Sequence, residues 1–261
     1  MVMIMNTKKE YIAVFDSGVG GISVLRQLLR ELPNERYFYF GDSANAPYGT
    51  RPTEEIRALT LAAAEKLVAR GIKALVVACN TATSAAIEEL RQRYPELIVI
   101  GIEPALKPAS DRFPGGTVGV MATPATLREQ KFARLLDRSS NHCRVVKLPA
   151  AGLVELVEAG KADSAETLAL LRPLLEPYAG KLDAVVLGCT HYPFAAKAIL
   201  EILGPKTMLL EGGPGTARET KRRLAASDLL WEGPGEIRIE NSLGSERITA
   251  LCQSLLEGEL E

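Results

Sequence analysis

The chain is short of the residues from which many kinds of site are built. Its 261 residues include two histidines, His142 and His191, four widely spaced cysteines, and no Cys-x-x-Cys pair. That scarcity argues against a zinc centre, which needs several such ligands close together. The spacing of Cys79, Cys143, Cys189 and Cys252 resembles no disulfide framework either, so free thiols in a reducing compartment are expected. Charge of one sign is also missing. Lys and Arg total 31 against 32 Asp and Glu, a net −1, with no basic run to meet nucleic acid or anionic lipid. Apolar runs stop at four to six residues, far short of a membrane span. Residues 1–10 lack the apolar core of a signal peptide, and a cytoplasmic protein is the expectation. DSGVGG (Asp16–Gly21) fits neither common phosphate-loop pattern, so a Gly-rich turn into a helix is the better reading there.

What remains is an ordinary soluble composition, 47% hydrophobic and 24% charged, long enough for one large domain or two small ones. Short apolar, β-branched runs alternate with helical patterns. The strand candidates are Tyr11–Phe15, Tyr37–Gly41, Ala74–Val77, Leu97–Ile102, Thr117–Met121, Arg144–Leu148, Ala184–Leu187 and Ile237–Glu240. Ile22, Leu25, Leu28 and Leu29 give Gly20–Glu31 helical spacing. Thr53 is placed to cap a helix that Gly71 would stop, and Thr123-Pro124 is a cap followed by proline at a first helical position. Continuous apolar strands between amphipathic helices predict an α/β fold with mostly parallel sheets covered on both faces.

A weak internal repeat divides that fold in two. IAVFDSGVGG (Ile12–Gly21) can be laid on VGVMATPATL (Val118–Leu127), and ALVVACNTAT (Ala74–Thr83) on AVVLGCTHYP (Ala184–Pro193). Ser17 then falls opposite Thr123, and Cys79 opposite Cys189, at nearly equal spacing inside each half. The expectation is two similar three-layer α/β/α domains related by a pseudo-two-fold axis, with the active site in the cleft between them. Residues 1–103 with 213–261 would form one domain and residues 104–212 the other. Gly101–Pro108 and Glu211–Gly215 are the candidate linkers.

Ligands of parallel α/β sheets settle at the carboxyl ends of strands, beside helix N-termini. Asp16, Ser17, Cys79, Asn80, Thr81, Thr123, Cys189, Thr190 and His191 are all expected there. Cys143 and Cys252 read as core thiols. Cys79 and Cys189 each open a polar strand-to-helix turn, where the helix terminus is expected to lower a thiol pKa. One such thiol would suit an acyl-transfer nucleophile; two at equivalent positions point to another use. Asp16 reads either as a helix cap or as a group that takes or holds a proton for Cys79.

At these residues the chain resembles the glutamate racemases of the cofactor-independent aspartate/glutamate racemase superfamily. The matching pieces are FDSGVGGISVL (Phe15–Leu25), FGDSANAPYGTR (Phe40–Arg51), ACNTATSAA (Ala78–Ala86), GIEPALKPA (Gly101–Ala109) and LGCTHYPF (Leu187–Phe194). The resemblance implies interconversion of L- and D-glutamate without a cofactor, by two cysteines facing opposite sides of the α-carbon. By residue matching, Cys79 would take the α-proton of D-glutamate and Cys189 that of L-glutamate, the other thiol returning a proton. Asp16 is similar to the family's partner of the first cysteine and His191 to that of the second, with Glu158 as a further acidic helper. Members often carry Cys-Pro shortly before that helper, where this chain has Ala150-Ala151. Asn80, Thr81 and Thr190 would hold the α-carboxylate, Ser17 with the backbone around Tyr48 and Gly49 the side-chain carboxylate, and Thr123 the pocket wall. The resemblance also implies D-glutamate supply for peptidoglycan and a homodimer. The rivals are an aspartate racemase of the same superfamily, a single-cysteine hydrolase or amidase, and a non-catalytic amino-acid-binding protein.

Overall fold

A computed structural model describes residues 10–128, 133 and 142–258. Residues 1–10, considered above for a leader segment, lie outside this range apart from Glu10. The first sheet contains β1 (Tyr11–Asp16), β2 (Arg36–Gly41), β3 (Ala74–Val77), β4 (Ile98–Gly101) and β9 (Glu236–Asn241), in the order β4-β3-β1-β2-β9. The second contains β5 (Thr117–Ala122), β6 (Arg144–Pro149), β7 (Ala184–Leu187) and β8 (Met208–Glu211), in the order β6-β5-β7-β8. Every strand pairing among the described residues is parallel, more uniform than the mostly parallel expectation.

Read from the opposite edge, the second sheet is β8-β7-β5-β6, which repeats β4-β3-β1-β2. The register repeats as well. Val14 lies beside Val76 in the first sheet and Val120 beside Val186 in the second. Likewise, Ala74 lies beside Ile98 and Ala184 beside Met208. The internal repeat pairs Val14 with Val120, Val76 with Val186 and Ala74 with Ala184, and the ladders add Ile98 and Met208 to that correspondence. Among the described residues β9 has no counterpart. It adds to β2 at the edge of the first sheet, after the chain has left the second.

Helices cover the sheets: α1 (Ile22–Glu31), α2 (Thr53–Val68), α3 (Asn80–Arg93), α4 (Leu106–Arg112), α5 (Pro124–Arg128), α6 (Leu153–Glu158), α7 (Ala165–Leu175), α8 (Ala196–Leu203), α9 (Gly213–Ala226) and α10 (Glu246–Glu257). Strand side chains alternate between two buried faces, as two-sided burial requires. Phe15, Leu75 and Val77 pack with Ile56, Leu67 and Leu90 beneath α2 and α3. Val118, Val120 and Val186 pack with Leu106 and Ala109 of α4. The opposite faces share one core. Ile12, Val14 and Val76 of the first sheet join Leu25, Leu28, Leu153, Val185 and Ile199 in a continuous cluster.

The structure corrects the sequence reading in several places. Gly101–Pro108 is not simply a linker, because α4 begins at Leu106 and accommodates Pro108 in its first turn, where no backbone donor is needed. Glu211–Gly215 is the end of β8 and the start of α9, with Pro214 in that helix's first turn. β8 went unpredicted because its four residues are only partly buried. Thr53 is the first residue of α2, after Pro52, rather than the residue before it. Gly71 does end that region, at φ +78, and Thr123 does cap α5 through Thr126 N–H at 3.2 Å.

Candidate active site

The expected residues gather where the carboxyl ends of β1, β3, β5 and β7 meet. Asp16 ends β1, and Cys79 follows β3 at the start of α3. Thr123 follows β5, and Cys189 follows β7. Side-chain bonds join the two sheets here. Thr190 Oγ1 donates to Asp16 Oδ2 at 3.0 Å, and Thr81 Oγ1 lies 3.2 Å from Thr123 Oγ1. Glu158 Oε1, from the second sheet's α6, accepts Val19 N–H at 2.8 Å. Gly20 lies so close to the second sheet's turn that an added Cβ would sit 2.3 Å from His191 Nδ1.

The sulfurs have different surroundings. Cys79, 5% exposed, lies 3.5 Å from Ser17 Oγ and accepts Ala82 N–H of α3 at 3.4 Å. Burial pushes its thiol up to about 12, and the nearby Asp16 charge adds to the rise. The Ser17 hydroxyl and Ala82 N–H oppose this, while Cys189 is close enough to raise the value a little further. This reverses the expectation of a lowered thiol pKa at the helix terminus. One N–H at 3.4 Å does not offset removing the sulfur from water. Asp16 is fully buried, and burial raises its carboxyl. His191, Gly18 N–H and Thr190 Oγ1 hold the rise down. Its hydrogen bonds go to Gly18 N–H and Thr190, while Ser17 is the side chain against the Cys79 sulfur.

Cys189, 7% exposed, lies 3.7 Å from His191 Nδ1, and His191 Nε2 lies 2.7 Å from Glu158 Oε1. Burial works against charge on His191, but the hydrogen bonds with Cys189 and Glu158 outweigh it and raise its pKa well above the usual value. The same contact lowers Glu158, against the opposing effect of its own burial. Cys189, His191 and Glu158 are therefore connected in series through the imidazole. The structure brings Glu158 to His191 despite the Ala150-Ala151 departure nearby.

The remaining candidates surround these two sulfurs. The Tyr48 hydroxyl donates to Asp42 Oδ2 at 2.7 Å, and a Cβ on Gly49 would meet Thr123 at 2.9 Å. The Tyr48–Gly49 turn therefore abuts the second sheet. Asn80 is buried and its Oδ1 has no hydrogen-bond partner. Thr126 was missed from sequence. Its hydroxyl bonds Thr123 and Thr81, and the only signal was a second threonine three residues after the cap. A groove of about 930 Å³ beside Glu103, Lys107, Glu211 and Arg218 lies elsewhere, and none of the candidate catalytic or substrate-binding residues lines it.

Two parallel sheets of repeated topology, with buried cysteines and acid-base partners at their meeting strand ends, define a class of α/β enzyme that moves protons. Residues 12–218 match the Asp/Glu/Hydantoin racemase family, and the chain belongs to it. The glutamate racemase of Clostridium perfringens is 47% identical over 253 residues, covering 96% of this chain and 97% of its own. Among solved structures, the glutamate racemase of Thermus thermophilus in complex with β-chloro-D-alanine superposes with a TM-score of 0.81 at 38% identity, covering 97% of this chain and 95% of its own. The Escherichia coli glutamate racemase, solved with L-glutamate and an activator, gives a TM-score of 0.83 at 31% identity, covering 95% of each chain.

Proposed function

We propose that this racemase interconverts L- and D-glutamate by a cofactor-independent reaction between two cysteines. One observation carries the reading: Cys79 and Cys189 follow equivalent strands of the repeated sheets, both are buried, and they lie near enough for Cys189 to raise the Cys79 thiol. Racemisation must remove a proton from one face of a carbon and return one to the other. Two fixed bases avoid the motion a single base would need. Turnover near 10 per second requires a barrier of about 16 kcal/mol, so donors must also stabilise the carbanion as it forms.

In the L-to-D direction Cys189 takes the α-proton as a thiolate beside the His191 imidazolium, which Glu158 keeps charged. Cys79, neutral because of its burial, returns a proton from the other face. In the reverse direction Cys79 is the base. The α-ammonium of glutamate then brings a positive charge to Asp16 and Cys79, opposing the desolvation and the carboxylate repulsion that hold the thiol protonated. The orphan Asn80 Oδ1 is an acceptor suited to that ammonium. Asn80, Thr81 and Thr190 hold the α-carboxylate, while Ser17 and the Tyr48–Gly49 backbone hold the distal one. Thr123 forms the pocket wall. With both sulfurs buried, glutamate enters by separation of the two halves, which we assign as domains 1–103 with 213–261 and 104–212. Their closure expels water and strengthens the polar contacts.

On this reading the chain acts in the cytoplasm as a homodimer, supplying D-glutamate for peptidoglycan. Incubation of L-glutamate with the purified protein in D₂O, with a chelator present, tests the activity. Loss of optical rotation with deuterium at the α-carbon is expected. Binding without exchange, or a clear preference for aspartate, refutes the reading.

A further inference from the structure

The Cys189-Thr190-His191 turn cannot satisfy its own backbone. A carbonyl at Thr190 would ordinarily accept the N–H three residues on, but that residue is Pro193, which has none. The next donor, Phe194 N–H, goes to His191 O at 3.2 Å. The partner comes from the other sheet. Ser23 of α1, 1% exposed, places Oγ 2.9 Å from Thr190 O and the same distance from Gly20 O. Gly20 O already accepts Ser23 N–H at 3.0 Å, and a hydroxyl has a single proton to give. The Thr190 carbonyl has the greater need of it. The equivalent turn of the first sheet lacks this problem, since Asn80 opens a regular helix and Thr83 stands where Pro193 does.

We propose that Ser23 is a positioning residue for the second half-site. Its hydroxyl replaces the backbone donor that Pro193 removes, and so orients Cys189 and His191, the residues flanking Thr190. Asp16 holds the hydroxyl of Thr190 and Ser23 holds its carbonyl, so the turn is gripped twice from the opposite sheet. Orientation of the catalytic pair therefore depends on the two halves being together. This inference rests on the two-cysteine racemase reading.

The test compares wild type, Ser23→Ala, Pro193→Ala and the double variant. Wild-type racemisation with α-deuterium exchange comes first, and its absence would refute the underlying reading rather than this inference. Given that activity, Ser23→Ala is expected to lower kcat/KM by about 10- to 100-fold, the scale of a small misplacement of a reacting group. Enantiomers are equally stable in water, so kcat/KM must fall equally in both directions. The primary isotope effect with [2-²H]-L-glutamate, from which Cys189 takes the deuteron, should rise relative to that with the D-enantiomer. Pro193→Ala restores a backbone donor, so Ser23→Ala should cost several-fold less in that background. Wild-type activity in Ser23→Ala overturns the inference. Additive losses with unchanged isotope effects do so as well, because they indicate a merely structural hydroxyl. If Ser23→Ala does not fold, the near-isosteric Ser23→Cys, a weaker donor, takes its place under the same criteria.

Discussion

Replacing Glu158 with glutamine changes one charge and little else. The amide keeps an oxygen for Val19 N–H and for His191 Nε2–H, at contacts now 2.8 and 2.7 Å. What disappears is the carboxylate that opposes desolvation of the His191 imidazolium. The two side chains are 3% and 20% exposed, so solvent screens the pair weakly. A hydrogen bond to a charged group contributes roughly 1.5–3 kcal/mol. At about 1.4 kcal/mol per pH unit, that moves His191 down by about one to two units. The sign follows from the direction of the shift. His191 has its folded pKa raised, so its stabilising contribution is full below the unfolded value near 6.5 and is lost as pH rises through the folded value. Glu158→Gln should therefore move the alkaline limb of kcat/KM toward lower pH by about one to two units, equally for both enantiomers. Circular-dichroism assays of L- and D-glutamate across pH 5–10 measure this. A limb that stays in place while the rate falls would mean that Glu158 only shapes the loop at Val19, and the proposal that it keeps His191 charged would be wrong.

Cys79→Ala and Cys189→Ala should each abolish racemisation measured by polarimetry; survival of either variant's activity would return the single-cysteine reading. Because burial raises Cys79 and Cys252 to about 12, the folded chain holds protons that unfolded thiols lose near pH 9. That contribution is present below pH 9 and is lost as pH rises toward 12, so the midpoint of thermal unfolding should fall over that range, and less steeply in Cys79→Ala. Gly20→Ala should cost about 100-fold or more in kcat/KM and lower the melting midpoint, since its Cβ would lie 2.3 Å from His191 Nδ1 and 2.6 Å from Thr190 Oγ1. Lys73 and Glu35, both 2% exposed and 2.6 Å apart, form a buried pair, and Lys73 Nζ also donates to Leu229 O. Lys73→Met should lower stability by about 3–5 kcal/mol in urea titrations, leaving the activity of the folded fraction unchanged because the pair lies at the amino end of β3.

Much of this was legible before the structure because the informative residues are local. VVACNTATS and VVLGCTHYP show a buried strand, its end and a thiol in a few positions, and two-sided strands advertise themselves by continuous apolar composition. The family resemblance supplied the grouping of distant residues. Contacts between the sheets were the hard part. Nothing near Glu158 announces that its carboxylate reaches both Val19 and His191, and Ser23 looks like an incidental polar residue in an amphipathic helix. The thiol expectation failed for a related reason. A helix start is visible in sequence, whereas the burial that dominates Cys79 is set by tertiary packing of residues distant along the chain, such as Phe15, Tyr48 and Ile56.

The duplication also shows why equivalent positions need not be equivalent groups. The sheets repeat one strand order and register, but the enantiomers of glutamate are related by a mirror, so identical half-sites would offer no advantage to the substrate. What equal stability of the enantiomers demands is only that the two kcat/KM values match. Each thiol can then be tuned by different means. The first half starts a regular helix at Asn80 and keeps Cys79 neutral by burial. The second begins with a 3-10 turn containing Pro193, sets His191 against Glu158, and leaves a carbonyl that Ser23 meets. On this argument the proline that breaks the symmetry of the repeat also ties the second half-site to closure of the first.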